Sequence, residues 1–124
     1  MGKSVHNDVL DAALGYISGN CDELVICSAE PTSYAEAHTT YALGSKSSPG
    51  FTGPADGDAG GRKLSVDAVS GEDVDATGTA THVALTDTGS GKLLYVTTLS
   101  SSQSVTAGNT FNLAAWDIEI ADPS

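Results

Sequence analysis

The chain has 124 residues, one domain's worth of sequence with no room for a second. Its 16 acidic and 5 basic side chains leave a net charge of −11, which excludes phosphate-driven binding to nucleic acid and attraction to an anionic membrane surface. Charged residues are only 17% of the total and hydrophobic ones 40%, so the chain is neither a polyelectrolyte nor a disordered segment.

The N-terminal stretch Met1-Gly2-Lys3-Ser4-Val5-His6 has no apolar run, so neither a secretion signal nor a membrane anchor is expected, and His6 breaks the pattern for N-myristoylation. Val9, Leu10, Ala13, Leu14 and Ile17 then recur at helical spacing, predicting an amphipathic helix over 7–18 with Asn7 as its N-cap and Gly19 just past its end. The apolar run 24–28 (Leu-Val-Ile-Cys-Ser) reads as a buried strand, with Cys27 inside it and Cys21 in the turn before it. Two cysteines in a chain of this size permit a disulfide without implying one.

Over 32–37 a helical turn is expected, with Thr32 or Ser33 capping and Glu36 reaching back. Residues 39–43 have strand composition and stop at Gly44, and 45–61, rich in Gly, Pro, Ser and Thr with Phe51 as the one core former, reads as a long surface loop or arm. Alternation resumes at Leu64, Val66 and Ala68, followed by a turn at 70–73.

A strand over 74–86 should place Ala76, Gly78, Ala80, His82 and Ala84 on one face and Thr77, Thr79, Thr81, Val83 and Leu85 on the other. Residues 87–91 (Asp-Thr-Gly-Ser-Gly) turn it into a hairpin with a strand over 93–99. A polar stretch over 100–109 ends in a tight turn at Ala107-Gly108-Asn109, and a last strand spans 111–120. Four or five antiparallel strands behind one helix predict a single-domain, mainly β sandwich or barrel.

Candidate chemistry is sparse. Gly89-Ser90-Gly91-Lys92 resembles the tail of a phosphate-binding loop, but Leu93 replaces its hydroxyl residue and a strand follows where a helix is needed. Asp56, Asp58, Glu72, Asp73 and Asp75 supply oxygens for Ca²⁺ without the spacing of a calcium loop, so solvated carboxylates are the better reading. His6, His38 and His82 are scattered singly, which argues against zinc. His82 and Asp87 with any of many serines could be arranged as a triad, yet no Gly-x-Ser-x-Gly elbow is present, and His82 reads as a structural histidine. Tyr34, Tyr41 and Phe51 could form an aromatic platform for a sugar, whereas Tyr95 and Trp116 lie inside strands and read as core or interface. No catalytic residue, cofactor or metal site is therefore expected.

The run 7–14 (Asn-Asp-Val-Leu-Asp-Ala-Ala-Leu) leading to 24–31, with 77–85 (Thr-Gly-Thr-Ala-Thr-His-Val-Ala-Leu) and 107–110 leading to Trp116-Asp117-Ile118, resembles small structural proteins of tailed-bacteriophage virions across most of the chain outside 45–61. The resemblance implies a non-enzymatic virion protein, made in the host cytoplasm and carried on the particle. It would be a capsid decoration (cement) protein bridging subunits of the major capsid protein, as a homo-oligomer such as a trimer. A neck, tail or fibre component that binds a host-surface glycan is the alternative. On the decoration reading, Pro49, Phe51 and Pro54 of the 45–61 segment, with Tyr34 and Tyr41, are the candidate partner contacts.

Overall fold

In the computed structural model, which describes residues 5–57 and 61–120, the chain is mainly β and antiparallel, with one N-terminal helix. In chain order the elements are α1 (Asn7–Asn20), β1 (Glu23–Cys27), a π-helical turn (Glu36–Thr40), β2 (Ala42–Ser47), β3 (Phe51–Asp56), β4 (Arg62–Val66), β5 (Val69–Asp73), β6 (Gly78–Asp87), β7 (Lys92–Val105), β8 (Thr110–Leu113) and β9 (Trp116–Ile120). They pair as a four-stranded sheet, β2-β1-β6-β7, a three-stranded sheet, β3-β4-β9, and a two-stranded ladder, β5-β8.

The sheets enclose one principal core. Leu24, Ile26, Val83 and Leu85 from the four-stranded sheet meet Leu64, Val66 and Ile118 from the three-stranded one, with Val69, Phe111 and Leu113 of the small ladder and Leu14 of α1. The opposite face of the four-stranded sheet carries a second cluster, Val25, Cys27, Ala37 and Ala84, roofed by the segment around the π-turn. Strand β1 is thus buried on both faces, which is why its sequence is a continuous apolar run and not an alternating one.

Helix α1 starts at Asn7 as the sequence suggests but runs two residues further, to Asn20, and its cap is not Asn7. His6 is the N-cap, its Nδ1 accepting from the Asp8 N–H at 3.0 Å, and Gly19 lies within the helix. The end comes at Cys21, whose N–H donates to the Ile17 carbonyl at 2.8 Å. Leu10 and Leu14 point into the protein. Arg62 fixes the helix to the sheet beneath it: Nε and Nη2 fork onto the Asp11 carboxylate at 2.7 and 3.3 Å, and Nη1 reaches Asp56 at 2.8 Å.

Several expectations are corrected. The strand placed over 39–43 is displaced: the π-turn consumes residues through Thr40, and β2 runs on through Gly44, whose bare Cα lies against Phe111 and the Asp73 carbonyl. The loop or arm expected over 45–61 is largely strand, since β2 extends to Ser47 and β3 pairs with β4 from Phe51↔Val66 to Asp56↔Arg62. Its breakers are absorbed because β3 is an edge strand, where proline's missing N–H breaks no ladder, and the register shift between Thr52 and Ala55 takes up Gly53 and Pro54. Asp58 falls outside the described residues.

The turn expected at 70–73 is β5, bulged between Val69 and Glu72 around Gly71 (φ +69°). The strand expected from 74 begins at Gly78, and a bulge between Ala80 and His82 switches its faces, so Ala80 joins Val83 and Leu85 in the main core while Ala84 lies on the other side. The polar 100–105 stretch continues β7, and the expected last strand splits at Ala114-Ala115 into β8 and β9, which belong to different sheets. The hairpin at 87–91 and the turn at 107–109 stand where they were read.

Candidate functional site

The five candidate contact residues do not form one surface. Pro49 is buried in the turn entering β3, and Phe51 and Pro54 are half-buried in β3 itself, with Phe51 packed on the main core. Tyr34 and Tyr41 are half-buried in the 31–41 segment, on the far side of the four-stranded sheet, where Tyr41 packs on the second cluster. The aromatic platform read from Tyr34, Tyr41 and Phe51 is therefore divided between two faces.

Around Tyr34 the fold builds a polar network with no counterpart in sequence proximity. The local cap forms as expected, Ser33 Oγ accepting from the Glu36 N–H at 3.2 Å and Glu36 Oε1 accepting from Thr32 N–H and Oγ–H, both at 2.8 Å. Those two donors hold the Glu36 carboxyl below the ordinary carboxylate range. The following π-turn, closed by Tyr41 N–H on the Glu36 carbonyl at 2.8 Å, swings His38 against β1. There His38 Nδ1 lies 2.8 Å from Glu23 Oε1, which also accepts from Thr86 Oγ1 at 2.9 Å. The His38 ring stacks on Tyr34 with centroids 5.1 Å apart. Burial, then the carboxylates of Glu23, Asp22 and Asp87, push the Tyr34 phenol above its usual value.

The remaining polar motifs are spent on structure. Asp87 Oδ1 accepts from the N–H groups of Gly89 and Ser90 at 3.1 and 3.3 Å, and Gly91 sits at φ +67°, so the phosphate-loop-like segment is a hairpin turn. His82 Nδ1 is 2.8 Å from the hydroxyl of its neighbour Thr81. Asp56 is paired with Arg62, and Glu72 with Lys46 at 3.2 Å. Among the described residues no three His, Cys, Asp or Glu side chains are grouped to hold a metal ion, and no helix is long and apolar enough to cross a membrane. Cys21 and Cys27 are free thiols, both buried, and burial pushes each up to about 11.

Two features were not read from the sequence. The first is the outer face of α1. Among the described residues, Val9 and Tyr16 are the large hydrophobic side chains left exposed, 60% and 49% accessible, and exposed Ala12 and Ala13 lie between them at helical spacing. The sequence groups Val9 and Ala13 with Leu10, Leu14 and Ile17 on the inner face, but the structure leaves both exposed, where with Ala12 and Tyr16 they make a second apolar stripe. Tyr16 is held by Lys92, whose Nζ donates to its hydroxyl at 3.2 Å.

The second is a cleft of about 340 Å³ between β7 and the β8–β9 connection. It lies at an irregularity of β7: His82 pairs with Thr98 and Ala80 with Gln103, so the single residue Thr81 faces four, 99–102, and three of those four line the cleft. Trp116, stacked on Tyr95 at 5.8 Å, lines the cleft, and its buried Nε1–H has no hydrogen-bond acceptor in the protein. No protein-family model, curated protein or solved structure matches the chain.

Proposed function

We propose that this protein is a non-enzymatic structural component of a tailed-phage virion, a decoration protein that docks on the shell and bridges neighbouring copies of the major capsid protein. The observation that carries the reading is the outer stripe of α1. Among the described residues the other large aliphatic and aromatic side chains are at least partly hidden, while Val9 and Tyr16 stand in water on one helix face, which suits a surface that another protein covers. The acidic surface, at a net charge of −11, suits a protein that must stay off packaged nucleic acid. A trimer would match the local symmetry of such a shell.

The contact face on this reading is α1 with the adjoining β3–β4 hairpin, to which Arg62 ties it. The test is to count copies per purified particle by quantitative mass spectrometry against the major capsid protein. Hundreds of copies support decoration, and a dozen or a few dozen move the protein to neck, tail or fibres. Absence from particles refutes the virion assignment. A Val9→Ser/Tyr16→Ser double variant, altered only at exposed positions, should fold normally and co-sediment with shells far less than the parent.

A further inference from the structure

We infer that the cleft between β7 and β9 is a binding site for a neutral sugar ring, an activity that a purely shell-bridging role does not require. The chemistry of its lining selects the ligand class. The apolar part is the half-buried Leu99 and Trp116 with the exposed Ala114 and Ala115, backed by the buried Val83 and Leu113, and it suits the C–H face of a pyranose. The polar part is supplied by Thr97, Thr98, Ser100, Ser101, Gln103 and Asp117, all but the half-buried Thr97 exposed at the surface.

Among the described residues the lining holds no cation, and Lys63, 3.6 Å from Asp117, is paired with that carboxylate, so an anionic ligand gains little there and meets a protein of net charge −11. A wholly apolar ligand would strip water from the hydroxyls, the amide and the carboxylate without replacing its hydrogen bonds. A hexose answers both halves of the lining, since it carries hydroxyl groups around its edge and an apolar face. The volume of about 340 Å³ is at the small end of ligand pockets and fits one or two such rings.

Asp117 is held at the rim: its Oδ1 accepts from the Ser65 hydroxyl at 2.7 Å and Lys63 Nζ lies 3.6 Å from Oδ2, both on the face of the β4–β9 ladder opposite Trp116, so the amide of Gln103 and the hydroxyl residues of β7 are the main polar groups offered to a ligand.

Trp116 is the single tryptophan of the chain, so its emission reports on the cleft alone. The experiment titrates the intact protein with glucose, galactose, N-acetylglucosamine and their disaccharides, reading tryptophan fluorescence and, independently of the indole, saturation-transfer NMR on the sugar. The expected result is a saturable change with at least one sugar at millimolar affinity. Gln103→Ala, a change at an exposed position, should weaken that binding about fivefold or more while circular dichroism stays that of the parent. Silence in both readouts up to about 100 mM sugar, or binding that Gln103→Ala and Asp117→Asn both leave unaltered, overturns the assignment.

Discussion

Replacing glycine by alanine should have opposite effects at two positions of this protein, for reasons that can be measured in ångströms. At Gly44, where β2 passes under Phe111 and makes an isolated bridge to Val74, an added Cβ would lie 2.9 Å from the Asp73 carbonyl oxygen and 2.9 Å from Phe111 Cε1. One neighbour is backbone and the other is a core ring only 3% exposed, so neither can yield freely. Overpacking of this kind costs about 1–3 kcal/mol. For a chain of 124 residues the unfolding entropy converts each kcal/mol into about 4 °C. Gly44→Ala should therefore melt about 4–12 °C below the parent. At Gly15, inside α1, an added Cβ meets nothing within 4 Å, and removing helical glycine is worth up to about 1 kcal/mol, or a rise of about 4 °C. Calorimetry or thermal circular dichroism on the two variants checks the pair. A Gly44→Ala protein that melts with the parent, or a Gly15→Ala protein that falls with it, would refute the packing described at the β2–Phe111 crossing or the open space beside α1.

Two further predictions concern buried polar groups. Thr86, fully buried, gives its hydroxyl to Glu23, and the isosteric Thr86→Val change should cost about 1–2 kcal/mol with Thr86→Ser restoring most of it, as read by urea unfolding. Cys21 and Cys27, with thiols pushed up to about 11, should resist iodoacetamide at pH 8 in the native protein and both react once it is unfolded. The same raised values fix a sign: above the ordinary thiol value the unfolded chain releases protons that the native protein retains. Stability should therefore fall as pH rises from about 9 toward about 11, and a stability that rises over that window would contradict the burial of both thiols.

What could be read in the sequence was local. Leu10, Leu14 and Ile17 announced the inner face of α1, the unbroken Leu24-Val25-Ile26-Cys27 announced a strand covered on both sides, and Asp87 to Gly91 announced its turn. The misreadings arose where tertiary context absorbed a breaker. Gly53 and Pro54 read as loop, yet on an edge strand with a register shift they cost the ladder nothing. Gly71 read as a turn and serves a bulge. The bulge at Ala80 reversed a face assignment that strict alternation would have fixed. The cleft was invisible for the same reason, because it lies where four residues of β7 oppose one of β6, a relation between strands that no single segment encodes. The Glu23–His38 contact joins residues 15 positions apart through a π-turn, and pattern reading has no template for that.

Strand order also bears on how the chain is made. Leu24 of β1 pairs with Lys46 of β2 on one side and with Leu85 of β6 on the other. During synthesis at roughly 5–20 residues per second, the first neighbour emerges within seconds, while the second, 85 − 24 = 61 positions downstream, follows several seconds after it. For that interval the most apolar strand of the protein has one open edge, and a nascent chain with a β1–β2 hairpin offers it to any other nascent chain nearby. A ribosome that pauses before codon 87 would lengthen the exposure. Crowded polysomes are thus a setting in which this fold is prone to aggregate, and slow induction should raise its soluble yield.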